Sequence, residues 1–485
     1  MQKSVPQPKA FDLSTVGVGL IAAVTALRLT LLWASDADLF FDESQYWLWG
    51  QNLDFGYYSK PPLIGWVIRL VTDMSGSDSV VWIRAAAPLC HGAAALALMA
   101  AARRLTDAEA ALAVGLAYVS LPLIAVGSAL ISTDTILLPF WCAALLLWLR
   151  QLEAPNLRDA AVMGLCLGLG MLAKYAAAYF LLGAGIAALA VPASRLPLRH
   201  LALTAVVFAA VIAPNVVWNM AHDFATVSHT ADNVDWIRQE AAPRLHFAAL
   251  AEFLLSQGVV MGPVLFIGFI WAGWHAARHD DPRARWLLCM SLPILALVCA
   301  QALLSKAYAN WAAMTYPAAL LLGVPFLLHR ARRLLWVGLG INLCLSLAVA
   351  CAATQVTQWS IGDRLVLKRY TGRDRAVQEV VDLARDAQLA AIVADSRPVL
   401  ADLFYYGRDA GLALYAVPHP AKSPHYYAER FPLPAKFEGD VLYVGRAAPC
   451  GQADALGPVG QGPGAYADRG LHGFRVPATC WELSR

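Results

Sequence analysis

Asp42 and Glu43 are adjacent carboxylates that follow Phe40 and Phe41 just beyond a long apolar run, and Lys60 comes next in the stretch YYSKPP at 57–62. A carboxylate can take a proton from an attacking hydroxyl, and an ammonium held nearby can absorb the charge of a phosphate. An Asp-Glu pair is also an ordinary loop edge or helix N-cap. Residue types alone leave both readings open, although ionised groups at membrane depth are costly and call for a reason. Four further positions have the right chemistry for such a site. Asp134 opens a later apolar run, where it either faces the same cavity or caps the helix 135–148. Lys174 sits between two short apolar segments, as a phosphate ligand or a snorkelling side chain. His222 follows another apolar run, and Asn310 begins a further one beside Trp311. Arg28, deep in the first run, carries the same ambiguity as Lys174. His222, Asp223, His229, Asp232 and Asp235 make at most a loose set whose spacing fits no recognised metal-ligand pattern; a loop folding over the site is the simpler reading.

These residues need elements to hold them, and the composition says which. Of 485 residues, 59% are hydrophobic and only 15% charged, with a formal net charge of +3 and a mean hydropathy of +0.53. That excludes a soluble cytosolic enzyme and a disordered chain, and the even charge balance excludes a nucleic-acid binder. Apolar runs at 13–33, 81–102, 108–128, 134–149, 160–173, 175–192, 200–219, 247–274, 286–303, 311–328 and 334–355 predict about eleven transmembrane helices. The fifth and sixth are short and are alternatively one bent helix. With the N-terminus in the cytoplasm, fourteen Lys/Arg fall on the cytoplasmic side and seven on the other. That bias supports eleven spans with residues 356–485 outside. Two sizeable external loops result, 34–80 and 220–246. The first is aromatic and amphipathic, as expected of short helices lying in the headgroup layer and broken at Pro61-Pro62.

The segments FDESQYW at 41–47 and GYYSKPPL at 56–63 resemble the first periplasmic loop of bacterial GT-C glycosyltransferases, especially the protein O-mannosyltransferase-like families and the lipid A aminoarabinose transferase. STDT at 132–135, GLCLGLGMLAKYAAA at 164–178, Pro214-Asn215, Trp218-Asn219, His222-Asp223-Phe224 and ANWAA at 309–313 agree with it in order. The resemblance implies an inverting transferase that moves a sugar from a polyprenyl-phosphate carrier to an extracytoplasmic acceptor: lipid A, polysaccharide or protein. Asp42 matches the general base, with Glu43 bracing it or sharing its proton. Lys60, with Tyr57 and Tyr58 before it, matches the phosphate-contacting segment, and Lys174 is a second donor-phosphate candidate. Asp134, His222 and Asn310 are expected to position the acceptor or a cation. The chain departs from the aminoarabinose transferase at Ser59, where an acidic residue precedes the lysine, and at Gln45, where an arginine stands three positions after the Asp. The first departure puts a metal at that position in doubt; no metal ligands are assigned, and a divalent cation is left open. The second suggests a different sugar or acceptor.

The chain is thus expected to be a polytopic α-helical membrane protein of GT-C type in the bacterial inner membrane, with a small C-terminal α/β extracytoplasmic domain. Of the last 130 residues 29 are charged, against 42 of the first 355, which sets the boundary near 356. In that domain 373–388 reads as an amphipathic helix, and 390–394, 411–417 and 441–444 as strands. No phosphate loop or zinc pattern appears there, so it names no chemistry of its own. Seven of nine cysteines lie in or beside spans; Cys450 and Cys480 alone fall in the external domain and are candidates for a disulfide in an oxidising compartment. A lipid or lipid-linked sugar flippase is the rival reading. It predicts internal repeats and mid-span charges, whereas no repeat is visible and the charges cluster at external ends.

Overall fold

The computed structural model describes residues 13–232, 245–362, 364–420 and 423–484. The apolar runs become helices. Helix α1 is Leu13–Trp33; α2 (Phe41–Gln51) and α3 (Leu63–Ser75) fill the first loop; α4 is Val80–Leu105. There follow α5 (Ala108–Ser120), α6 (Pro122–Ala129), α7 (Thr133–Glu153), α8 (Leu157–Ala173), α9 (Ala178–Ala190), α10 (Leu198–Ala221) and the short α11 (Ala225–Asp232). The bundle is completed by α12 (Phe247–Val260), α13 (Pro263–Arg278), α14 (Pro282–Cys289), α15 (Leu292–Leu304), α16 (Tyr316–Arg330) and α17 (Arg332–Thr354). Helix α16 is buried along most of its length and α4 and α7 along two thirds, whereas α1, α10 and α17 bury only a narrow stripe. The last three are apolar on their open faces, as helices against lipid must be.

Among the described residues seven helical stretches are long and apolar enough to cross a membrane, or nine if two bent pairs each count as one. The other two expected spans, α8 and α9, have 17 and 13 residues, fewer than the roughly 20 a straight crossing needs. They are two helices rather than one bent one, because the backbone of Lys174 is extended between them. The run 247–274, expected as one span, is broken by 108° between α12 and α13. Gly262 makes the break: its φ is +89°, and a Cβ there would lie 1.9 Å from Asn342 Oδ1. The Asn342 side chain enters that gap and donates to the Met261 carbonyl at 3.0 Å, satisfying one of the backbone groups a broken helix leaves open.

Beyond α17 come a two-residue hairpin, β1 (Ser360–Ile361) with β2 (Arg364–Leu365), then α18 (Arg373–Asp386), β3 (Ala391–Ala394), α19 (Arg397–Tyr406), β4 (Ala413–Ala416), α20 (Tyr426–Arg430), β5 (Asp440–Gly445), β6 (Asp454–Val459) and β7 (Leu471–Pro477). The main sheet has the order β4-β3-β5-β7-β6. Its β4, β3 and β5 run parallel, and β7 and β6 add antiparallel. The sheet lies apart from the bundle, but the apolar core runs unbroken from the bundle into α18 and α19. Trp47 of α2 meets Tyr405 of α19 edge-on at 5.0 Å between centroids. The rings of α2 therefore face protein: Tyr46, Trp47 and Trp49 are buried, Trp47 against Tyr405 and Trp49 against Tyr426 of the C-terminal domain, while Leu70 and Met74 of α3 stay exposed.

A disulfide joins Cys450 and Cys480, with Cα atoms 6.0 Å apart. It ties the segment before β6 to the turn after β7. Closing a loop of 30 residues is worth about 3 kcal/mol in the chain-entropy account. Replacing both cysteines with serine is expected to speed limited proteolysis of the 450–480 segment at least tenfold while leaving the bundle resistant; equal protection of both proteins would contradict this.

Candidate active site

The first loop is held by a buried ion pair. Helix α2 begins after Phe40, and Glu43 Oε2 reaches back to accept the Phe40 backbone N–H at 2.9 Å. Arg84 of α4 grips the same carboxylate through Nε to Oε1 at 2.9 Å and Nη2 to Oε2 at 2.7 Å. Glu43 Oε1 also accepts the Ile131 N–H at 2.9 Å, and Arg84 donates to the Ala37 and Asp38 carbonyls. Both side chains are almost wholly buried. The oxygens of Glu43, which also lines the cavity described below, are all engaged in fastening α2 to α4 and to the start of α7.

Asp42, one residue earlier, points the other way. Its Oδ1 accepts from Arg397 Nη2, and Arg397 Nε donates to Gln45 Oε1 at 2.7 Å. Arg397 is the first residue of α19, so the C-terminal domain supplies the cation beside the candidate base. The sequence reading missed it. The signal was present as Ser396, then Arg397-Pro398, then apolar residues at 399, 400 and 403, closed by Gly407, which together form a helix with its cap, first turn and stop.

Lys60 sits in a tight turn closed by the Tyr57 N–H on the Lys60 carbonyl at 3.2 Å. The turn is strapped down by α10 and α11. Asn215 Nδ2 donates to the Phe55 carbonyl at 2.6 Å, and Thr226 Oγ1 to the Tyr57 carbonyl at 2.6 Å. Gly56 lies so close to the face of Trp218 that a Cβ would come within 2.3 Å of its ring. Among the described residues no hydrogen bond or ion pair holds the Lys60 ammonium. Burial and the nearby Lys174 push its pKa down, and Asp42 and Asp134 pull it partly back. Tyr57 and Tyr58 are not phosphate ligands in this arrangement. Tyr57 is buried and stacked flat on Trp49 at 4.6 Å, with its hydroxyl between the Trp49 and Asn52 carbonyls. Tyr58 donates to the Ser423 carbonyl of the C-terminal domain at 2.9 Å.

Asp134 lies in the first turn of α7 and is not its cap; Ser132 caps the helix by accepting the Thr135 N–H. Lys174 Nζ bridges both Asp134 oxygens at 2.7 and 2.8 Å, and Asn310 Nδ2 donates to Oδ2 at 2.9 Å. Three residues singled out separately thus form one cluster. Lys174 departs from its expected role, because its charge is spent on Asp134 and not left open to a phosphate. A cavity of about 350 Å³ joins the pieces, with Phe40, Asp42, Tyr46, Asp134, Asn310 and His91 among its walls.

His222 is not in that wall. Its ring stacks on Trp218 at 4.0 Å, and it acts instead on Glu429, whose carboxyl burial pushes up while Arg430 and His222 draw it down. Arg28 is also elsewhere, donating to the Val119 carbonyl at 2.6 Å in an apolar groove between α1, α5, α6 and α17. Among the described residues no group of three or more His, Cys, Asp or Glu is arranged to hold a metal ion; Asp235 lies outside them. The carboxylates at the cavity face side-chain cations instead.

Comparison with known proteins gives the fold and the family. Residues 59–218 match the family described as dolichyl-phosphate-mannose-protein mannosyltransferase. The lipid A galacturonosyltransferase RgtD of Rhizobium johnstonii is 38% identical over 470 residues, covering 96% of this chain and 98% of that one. Among solved structures, ArnT of Cupriavidus metallidurans superimposes with a TM-score of 0.65 at 15% identity, covering 96% of this chain and 99% of the other. Its complex with undecaprenyl phosphate gives 0.66 at 15% identity, over 95% and 99%. The fold is that of ArnT, and the extent and identity of the match to RgtD place the chain itself: it belongs to the GT-C glycosyltransferase family of the lipid A galacturonosyltransferases.

Proposed function

We propose that this protein transfers a sugar from a polyprenyl-phosphate carrier to a hydroxyl of a lipid A-class acceptor, with inversion, on the outer face of the bacterial inner membrane. The observation that carries the reading is the juxtaposition of Asp42 at the cavity wall with Lys60, an ammonium that no ion pair consumes among the described residues and that feels the Asp42 charge. The acceptor oxygen attacks the anomeric carbon as its proton passes to Asp42. The bond from that carbon to the phosphate oxygen breaks, and the electron pair leaves on the phosphate, where Lys60 faces the growing charge. Asp134, fixed by Lys174 and Asn310, offers its remaining lone pairs to substrate hydroxyls. Residues 1–355 form the membrane domain with loop 34–80, and 356–485 an extracytoplasmic domain that closes over it. The excess of basic residues on the opposite side supports that orientation, as does the disulfide.

The activity of RgtD and the undecaprenyl phosphate bound to ArnT make a polyprenyl-phosphate galacturonosyl donor with lipid A the first pair to test. Purified protein in lipid should add one sugar mass to lipid A and release polyprenyl phosphate; absence of both products sinks the reading. Within it, Lys60→Ala is expected to raise the KM for the donor by about 10- to 100-fold with the acceptor KM nearly unchanged. Because burial lowers the pKa of Lys60, its proton is lost as pH rises through a value below that of a free lysine. Donor KM should therefore climb on the alkaline side, and Lys60→Arg should move that limb upward. An effect confined to the acceptor would contradict the role.

A further inference from the structure

We propose that Arg397, brought into the site by α19, is the residue that reads an anionic, uronate-type sugar on the lipid-linked donor. The inference rests on the transfer reading above and names its sugar class.

Most of the charges around the cavity are already paired. Arg84 is spent on Glu43, Lys174 on Asp134 and Arg373 on Asp402. Among the described residues two cations remain near the candidate base: Lys60, which no ion pair holds there, and Arg397, whose partner is Asp42. A phosphodiester-linked donor brings one negative charge to Lys60. Asp42 has lone pairs enough to take the acceptor's proton while Arg397 stays on Oδ1, and a carboxylate on the donor, a second negative charge, would compete with Asp42 for the guanidinium. The carboxylate of Asp42 is a stand-in for that charge in the ligand-free chain.

The guanidinium is held ready for such an exchange. Its Nε is fixed on Gln45 Oε1 at 2.7 Å, and the Gln45 side chain is itself buried. The Phe41 ring lies 5.0 Å from the guanidinium carbon, which sets the tilt of the plane. About a third of the Arg397 side chain is exposed, and its Nη1 has no protein partner among the described residues. A planar group with Nη1 open, and Nη2 held only by Asp42, fits a carboxylate with two parallel hydrogen bonds once the ligand replaces Asp42 on Nη2. It repels a sugar that carries an ammonium, and it is left with unpaired donors by a neutral hexose. Uronate binding engages Nη1 and competes with Asp42 for Nη2.

The test compares kcat/KM for two donors on the same polyprenyl phosphate, one galacturonosyl and one galactosyl, in wild type, Arg397→Gln and Arg397→Lys. Wild type is expected to prefer the uronosyl donor by about 10²-fold or more, as a site built to pair a substrate group does. Arg397→Gln should bring the ratio to within about threefold of unity, chiefly by losing uronosyl transfer, and Arg397→Lys, which keeps the charge without the fork, should fall between. If the Gln variant does not fold, as judged by its melting profile, the Lys variant alone decides, with an unchanged ratio counting against the proposal. Equal losses on both donors would make Arg397 a positioning residue for Asp42 and overturn the proposal while leaving the transfer reading intact. No transfer by wild type from either donor overturns the transfer reading, and this inference with it.

Discussion

Asp42→Asn is expected to lower the rate of sugar transfer by a factor on the order of 10² or more, with no loss of folded protein. Asparagine keeps the shape of the side chain and an oxygen that Arg397 can still meet, so the contact between α2 and α19 survives. What it removes is the only atom at that position able to take a proton from the acceptor hydroxyl. The phosphate leaving group is stable as an anion, so the base bears most of the acid–base work and there is no general acid to compensate. The measurement is the initial rate at saturating donor, beside a melting curve for each protein. A variant within twofold of wild type would remove Asp42 from the chemistry.

The second large effect falls on stability. Glu43→Gln leaves the Arg84 guanidinium charged and unpaired where its side chain is only 1% exposed. Breaking a buried pair in this way costs about 3–5 kcal/mol. Glu43→Gln should therefore melt well below wild type and lose activity because Asp42 shares its helical turn. Adding Arg84→Met should restore part of the loss. Recovery stays partial because the Phe40 and Ile131 N–H groups have lost the charge they donate to. If Glu43 instead shared the catalytic proton, Glu43→Gln would melt as wild type does while the rate collapsed; that result would return it to the chemistry.

Most of the bundle was legible because a membrane span is a local property of about 20 residues. The run at 13–33 became α1 with those bounds, and 334–355 became α17 with a shift of one or two residues. The break at Gly262 was hidden because apolar composition says nothing about direction, and the Asn342 that fills the break lies 81 residues from the Met261 carbonyl it binds. Asp134, Lys174 and Asn310 were each picked for their chemistry, but their union spans 40 and 176 residues. Tyr57 and Tyr58 are drawn to the phosphate in the sequence by their place beside Lys60 in the segment that resembles the family's, whereas their own contacts include partners distant in the chain, Thr226 and Ser423. The cover of that loop, α19 and α20, comes more than 300 residues later. Arg397 was missed for the same reason: in its own neighbourhood it is merely the first residue of a short helix.

The pairing of Asp42 with Arg397 crosses 355 residues of chain, and that separation has a consequence for the order in which a ribosome makes the protein. At roughly 5–20 residues per second, on the order of half a minute passes between the synthesis of the two partners. Through that interval α2 has no α19 to pack on, and the aromatic rings that α19 buries have no cover. The nascent loop therefore has no assembled pocket in which to meet a lipid-linked sugar. The pocket is complete only when the C-terminal domain has docked on α2, which makes the last quarter of the chain a condition for the first loop's site rather than an appendage to it.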